Sequence, residues 1–428
     1  MLISFSRVFC TILSALFLVH LPPDLVTGQD ADHNDYHEQA IGILEEVPLI
    51  DGHNDLPYQY RVRADYKFSE IDLMNTTGFD QPMHTDIPRL REGRVGGQFW
   101  SVYVTPNQPE SEAIQQTMEQ IDFVYRMIER YPDEFELALT ADDVERIFED
   151  GKIASMIGME GGHSIGNSLG VLRQFYNLGA RYMSITHSTS IDWADSATDD
   201  PVNDGLTEFG KEVVREMNWL GMLVDLSHAS SQTMVDAINT SEAPVIFSHS
   251  SARAVSGHTR NVPDDVLQRV KDNDGIVMVT YVGSFVSEEL RRHYSKENGF
   301  QAKLEALYVG QPDSVDQKMS EWREANPAPQ TTLSQVADHI DHIRDIIGVD
   351  HIGIGGDYDG TSGFPVGLED VSTYPNLFAE LLRRGYSEGD LKKIAGLNVL
   401  RVMRDAEEVA VRLQKERGPS ETQIEDVN

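Results

Sequence analysis

The chain has 428 residues, with 35 Lys and Arg set against 70 Asp and Glu, for a formal net charge of −35. A surface this negative repels a phosphate backbone, which excludes nucleic acid and anionic membranes as partners while attracting metal cations. The 40% hydrophobic and 8% aromatic content excludes wholesale disorder, and the length allows one large domain or two to three ordinary ones.

Residues 1–28 read as a secretory signal peptide. Arg7 gives a short basic region, residues 8–19 form an apolar run, and Val26 and Gly28 suit cleavage before Gln29. The run is too short to span a bilayer comfortably, which makes a retained anchor the lesser reading. Cys10 is the only cysteine and lies inside this segment, so a mature chain of 29–428 is expected to be secreted, free of disulfides and stabilised by the size of its core. Asn75 (N-T-T) and Asn239 (N-T-S) are glycosylation sequons that a secretory route would expose.

Eight short apolar, β-rich runs follow, at 47–51, 98–104, 153–160, 182–187, 222–228, 244–249, 275–282 and 351–357. Amphipathic stretches separate most of them, at 110–130, 141–149, 169–178, 207–220, 231–239, 263–271 and 333–347. In the first, Ile114, Met118, Ile121, Val124, Tyr125 and Ile128 share one helical face. Strands apolar along most of their length suit a parallel sheet buried on both faces, and eight strand–helix units predict a (β/α)8 TIM-type barrel. Two excursions, 56–97 and a polar, proline-containing 283–332, would leave from the ends of strands where barrels place substrate-covering loops. Residues 374–384 and 387–415 read as closing helices, and the polar terminus 416–428 has no apolar tail to signal a lipid anchor.

Metal-binding residue types recur at the strand ends. The first strand ends in D-G-H-N-D, with His53 and Asp55 spaced to point the same way. Glu160 ends the third, His228 the fifth, His249 the sixth and Asp357 the eighth. A barrel converges these positions on one mouth. Imidazole with carboxylate suits zinc, with manganese, cobalt or iron as weaker options. Even without Asp357, five donors exceed what one catalytic zinc needs. A carboxylate shared between two ions accounts for the surplus, with His53, Asp55 and Glu160 on one and Glu160, His228 and His249 on the other. Two such cations roughly 3.5–4 Å apart hold a hydroxide as nucleophile at neutral pH.

At these residues the chain resembles the membrane dipeptidase (renal dipeptidase) family, a branch of the amidohydrolase superfamily. The matching stretches include L-I-D-G-H-N-D-L-P (49–57), V-G-G-Q-F-W-S-V-Y (95–103), E-G-G-H-S-I (160–165), P-V-I-F-S-H-S-S-A (244–252), R-N-V-P-D-D-V-L (260–267) and G-G-D-Y-D-G (355–360). The resemblance implies two zinc ions on the ligands just named, Asp357 as acid/base, His187 (S-I-T-H-S) polarising the scissile carbonyl and Arg260 gripping the substrate carboxylate. It therefore implies a dipeptidase acting through a hydroxide between the metals. Two structural alternatives stay open: His187 as a supporting residue, and Arg260 paired with Asp264 or Asp265. The chain lacks the residues for the disulfides and glycolipid anchor of the better-known animal members, leaving a non-covalent homodimer as the only dimer open to it. A specialised amide such as a cysteinyl-glycine conjugate or a β-lactam is the alternative substrate. A silent scaffold is disfavoured, because every site position is filled.

Overall fold

The structure is a computed structural model that describes the backbone of residues 28–427 and the side chains of residues 35–427. The apolar run, Cys10 and all of the expected signal segment except Gly28 lie outside the described residues. Helix α1 (Gly28–Glu46) precedes the first strand; its apolar residues come only near its end, so no amphipathic pattern announces it. Nine strands follow: β1 (Leu49–Asn54), β2 (Val95–Tyr103), β3 (Phe135–Leu137), β4 (Ile153–Glu160), β5 (Ala180–Ser184), β6 (Leu223–Asp225), β7 (Ile246–Phe247), β8 (Ile276–Val279) and β9 (Ile352–Ile354).

Eight of these strands, all parallel, close into the (β/α)8 TIM-type barrel that the periodicity predicts. The closing seam is β2 against β4, paired from Gly97 with Ala154 to Tyr103 with Glu160. The unpredicted β3 fills the first half of the other edge of β4, and β5 takes the second half. β1 and β4 are buried along their whole length, which is why they read as apolar runs without alternation.

Helices α2 (Leu56–Ala64) and α3 (Ile87–Glu92) occupy the first excursion, and β2 begins at Val95, earlier than expected from residue 98. Around the barrel run α4 (Glu110–Arg130), α5 (Ala141–Glu149), α6 (Leu169–Asn177), α7 (Glu208–Leu220), α8 (Ser231–Thr240) and α9 (Asp264–Asp272). The second excursion is helical rather than irregular, with α10 (Gly283–Val286), α11 (Glu288–Leu307) and α12 (Pro312–Ala325). α11 and α12 gather Leu304, Val315 and Met319 into a small apolar cluster separate from the barrel core. The chain finishes with α13 (Leu333–Ile347), α14 (Tyr374–Arg383), α15 (Glu388–Lys392), α16 (Asn398–Glu416) and α17 (Ile424–Val427). Val399 and Met403 of α16 join Ile50, Phe99, Met156 and Met278 of the strands in one cluster, so the last long helix closes against the strands as its sequence suggested. Among the described residues no helix is long and apolar enough to cross a membrane.

Candidate active site

Glu160 ends β4 as expected and His53 lies within β1, but the other site residues stand beyond the regular ladder. His187 follows β5, His228 follows β6, His249 follows β7 and Asp357 follows β9, each by two or three residues. Leaving the ladder lets these side chains turn into the mouth. His228 (φ 71°) and Asp357 (φ 64°) do so with left-handed backbone, which costs a non-glycine residue of order 1–3 kcal/mol. Asp55 occupies the N-cap position of α2, where an aspartate ordinarily bonds the first free N–H groups, yet its side chain caps nothing. The carboxylate is turned to the site instead. Gly360 completes the packing: a Cβ there would fall on Asp55 Oδ2 and Asp357 Oδ1.

One oxygen organises the centre. Glu160 Oε1 lies 3.0 Å from His228 Nε2, 3.5 Å from both His53 Nε2 and His249 Nε2, and 3.7 Å from His187 Nε2. His53 Nε2 is in turn 3.3 Å from Asp55 Oδ2, and the Nε2 atoms of His228 and His249 are 3.0 Å apart. Three groupings have the mutual spacing of a metal site: His53 with Glu160 and His249, Glu160 with His187 and His228, and His53 with Asp55 and Asp357. The sequence-derived sets are thus all brought together, but His249 stands nearer His53 than expected and His187 belongs among the donors by position. Burial holds His228 and His249 well below the ordinary imidazole range, which keeps them neutral as metal ligation requires. Burial pushes Glu160 the other way, but His53, His187 and His228 outweigh it and hold the carboxyl well below its usual value. Burial, with Asp55 and Glu160 adding to it, raises Asp357 well above the carboxylate range, although His53 and Arg260 oppose the rise.

Asp55, Glu160, His187, His228 and Asp357 border a cavity of about 360 Å³, lined also by Tyr58, Tyr103, Val282 and Phe285. Arg260 is only 2% exposed, and burial pulls its guanidinium to about 10, so it stays cationic at neutral pH. Its polar contacts are Ser250 Oγ at 3.3 Å and the His249 carbonyl at 3.4 Å, and Nε has no partner. The alternative pairing with Asp264 does not form: Asp264 Oδ1 takes His342 Nε2 at 2.9 Å. The His187 ring packs between Tyr103 and His228, with centroids 4.6 and 4.3 Å away.

The family model of the membrane dipeptidases (Peptidase family M19) matches residues 37–417. The chain belongs to the membrane dipeptidase family. It is thereby a metal-dependent dipeptidase, a hydrolase of peptide bonds. Solved structures agree in fold. The probable dipeptidase PvdM from Pseudomonas aeruginosa superposes with a TM-score of 0.76 at 24% identity, covering 88% of this chain and 100% of that one. The dipeptidase AC, a metallopeptidase of family M19, gives 0.69 at 26% identity over 84% of this chain and 98% of its own. A metallopeptidase from Rhodobacter sphaeroides, solved with a phosphinate mimic of the dipeptide L-Ala-D-Ala, gives 0.69 at 24% identity over 84% and 99%.

The donors of this membrane dipeptidase family member fit a metal centre on their own chemistry. His53 Nε2 and Asp55 Oδ1 are buried without a hydrogen-bond partner, a cost that a bound cation would remove. Sequence reasoning missed the residues that hold the donor side chains. The Tyr182 hydroxyl lies 2.8 Å from His53 Nδ1 and donates to the Gly52 carbonyl at 3.1 Å, in space that the lack of a side chain at Gly158 leaves open. Buried Asp51 accepts from the Tyr374 hydroxyl, the Gly356 N–H at 2.8 Å and the His53 N–H at 3.2 Å. Only the D-G-H spacing hinted at Asp51.

Proposed function

We propose that the protein is a secreted, binuclear zinc dipeptidase that hydrolyses dipeptides bearing a free C-terminal carboxylate. The observation that carries this reading is the shared oxygen of Glu160 amid four imidazoles, beside a buried arginine with no carboxylate of its own. His53, Asp55 and Glu160 would hold one ion, and Glu160, His228 and His249 the other. Two zinc ions so held supply Lewis acidity and a water activated at neutral pH.

The chain's own groups supply the rest. Arg260 takes the substrate carboxylate with its planar fork, restricting turnover to substrates with a carboxylate at that distance. His187 stabilises the charge that grows on the scissile carbonyl oxygen. Asp357 accepts the proton released as water adds to the carbonyl carbon and delivers it to the leaving nitrogen. Its raised affinity for a proton suits that traffic. The cavity has room for a dipeptide, and the Rhodobacter relative's dipeptide mimic supports a substrate of that size. The N-terminal apolar run supports secretion.

Metal analysis of the purified protein with a dipeptide panel tests the reading. Two zinc ions per chain are expected, with hydrolysis of free-acid dipeptides and none of their C-terminal amides. Full turnover by a metal-free Glu160→Gln protein would overturn it.

A further inference from the structure

Asp225 ends β6 and is wholly buried. Its Oδ1 accepts the backbone N–H of Ser227 at 3.0 Å and of Ser248 at 2.8 Å, and its Oδ2 accepts the Ser248 hydroxyl at 2.6 Å. The same hydroxyl oxygen stands 2.8 Å from Nδ1 of His249. Its remaining neighbour, Ser227 Oγ, is more distant at 3.4 Å.

Burial raises the Asp225 carboxyl, but the Ser248 hydroxyl and the two backbone N–H groups favour its ionised form. A hydroxyl has one proton to give, and an ionised carboxylate can only accept. The Ser248 proton therefore goes to Asp225, and the Ser248 oxygen is left to accept Nδ1–H of His249. Nε2 is then the bare nitrogen, and it is the atom that faces His228 Nε2 and Glu160 Oε1. We propose that Asp225 is a positioning residue that, through Ser248, sets the tautomer of His249 and so keeps Nε2 open to the metal. The inference rests on the reading of His249 as a ligand.

The direction of this relay is held by a side chain. His53 differs, because the Tyr182 hydroxyl beside it donates to a backbone carbonyl, which can only accept. An isosteric change can thus invert the His249 relay and leave that of His53 intact. In D225N the amide oxygen keeps the two backbone N–H groups and the NH2 turns to Ser248. Ser248 must then give its proton to Nδ1, and the imidazole carries its own on Nε2, where it blocks ligation although no ligand has changed.

Zinc titration of metal-free protein against a competing chelator, with nitrogen-15 NMR of the imidazoles, tests this in wild type, D225N, S248A and D225N/S248A. Wild type is expected to bind two zinc ions with the His249 proton on Nδ1. D225N should carry it on Nε2 and lose roughly 10–100-fold in affinity at one ion, the usual effect of losing an outer hydrogen-bond partner. The double variant should bind that ion more tightly than D225N, because removing the hydroxyl removes the wrongly directed proton. A purely structural Asp225 offers no reason for a second mutation to repair the first. Equal affinity in wild type and D225N, or a double variant weaker than D225N, overturns the relay. Wild type that takes up no zinc overturns instead the metal reading beneath it. Should D225N not fold, S248T must match wild type while S248A binds several-fold more weakly, and equal affinity in those two overturns the relay.

Discussion

The Arg260 guanidinium carbon lies 5.3 Å from the centre of the Phe285 ring, against a face that attracts the cation but satisfies none of its N–H groups. The arginine is thus held in place with Nε–H unspent and only two long contacts, to Ser250 Oγ and the His249 carbonyl, on its other nitrogens. Arg260→Ala should lower kcat/KM for free-acid dipeptides by about 100-fold, as a hydrogen bond to a charged group is worth about 1.5–3 kcal/mol. Arg260→Lys should recover only part, having charge without the fork. A C-terminal amide serves as control, and wild type and both variants alike should leave it uncut.

Metal removal should lower thermal stability as well as activity. An ion that binds only the native state stabilises by about 2.7 kcal/mol when its concentration is 100 times Kd. Calorimetry with and without zinc should show a higher Tm for the zinc-loaded wild type. The rise should be smaller in Glu160→Gln, because Glu160 Oε1 is the atom on which the donors converge.

Gly360→Ala should empty the site without unfolding the barrel. The added Cβ falls on Asp55 Oδ2 and Asp357 Oδ1, within the loop that follows β9 and not in the sheet. Metal content and kcat should both drop, the latter by about 10-fold or more if positioning is lost, since misplacement by about 1 Å can cost 100-fold. Circular dichroism should be unchanged.

His339, which is not among the candidate donors, predicts a pH dependence of stability. It is wholly buried on α13, with Nδ1 accepting the Ala252 N–H at 3.0 Å and Nε2–H donating to the Val286 carbonyl at 2.9 Å. Both partners demand the neutral ring, and burial depresses its proton affinity to about 4 from 6.5. The unfolded chain takes up a proton below pH 6.5 that the folded chain refuses until about pH 4, so this contribution is complete above 6.5 and lost as pH falls through that window. The slope is up to about 1.4 kcal/mol per pH unit for one proton. Denaturant unfolding at pH 7 and 5 should show a shallower pH dependence in His339→Asn than in wild type.

Much of the fold was legible because periodicity is a direct record of burial. The bounds of α4, α5 and α13 agree with the helical stretches read from sequence, and Glu160 ends the strand it was assigned to. The three-residue β3 was too short to carry a pattern, and α1 is polar over its first turns. At the site, the candidate donors stand out by type, since histidine and carboxylate recur at successive strand ends. Asp225, Ser248 and Tyr182 do not, because their roles depend on neighbours 23 or 129 residues away that only strand register brings together. The distribution of His187 and His249 among the donors was hidden for the same reason.

The second excursion looks like one insertion in the sequence, yet it divides at Ser287. Before that residue, α10 is tied to the barrel by Asn261 Nδ2 donating to the Phe285 carbonyl at 2.8 Å and by His339 beneath Val286. After it, α11 and α12 bury Leu304, Val315 and Met319 chiefly against each other and against Phe300 and Tyr308. The hairpin therefore has a local opening free energy of its own, and its amides can exchange without the barrel amides following. Drift in its length or sequence is tolerable while those five side chains still meet, and Phe285 remains over Arg260 throughout. The reach of the hairpin and the shape of the cavity wall can thus vary in evolution as two independent quantities.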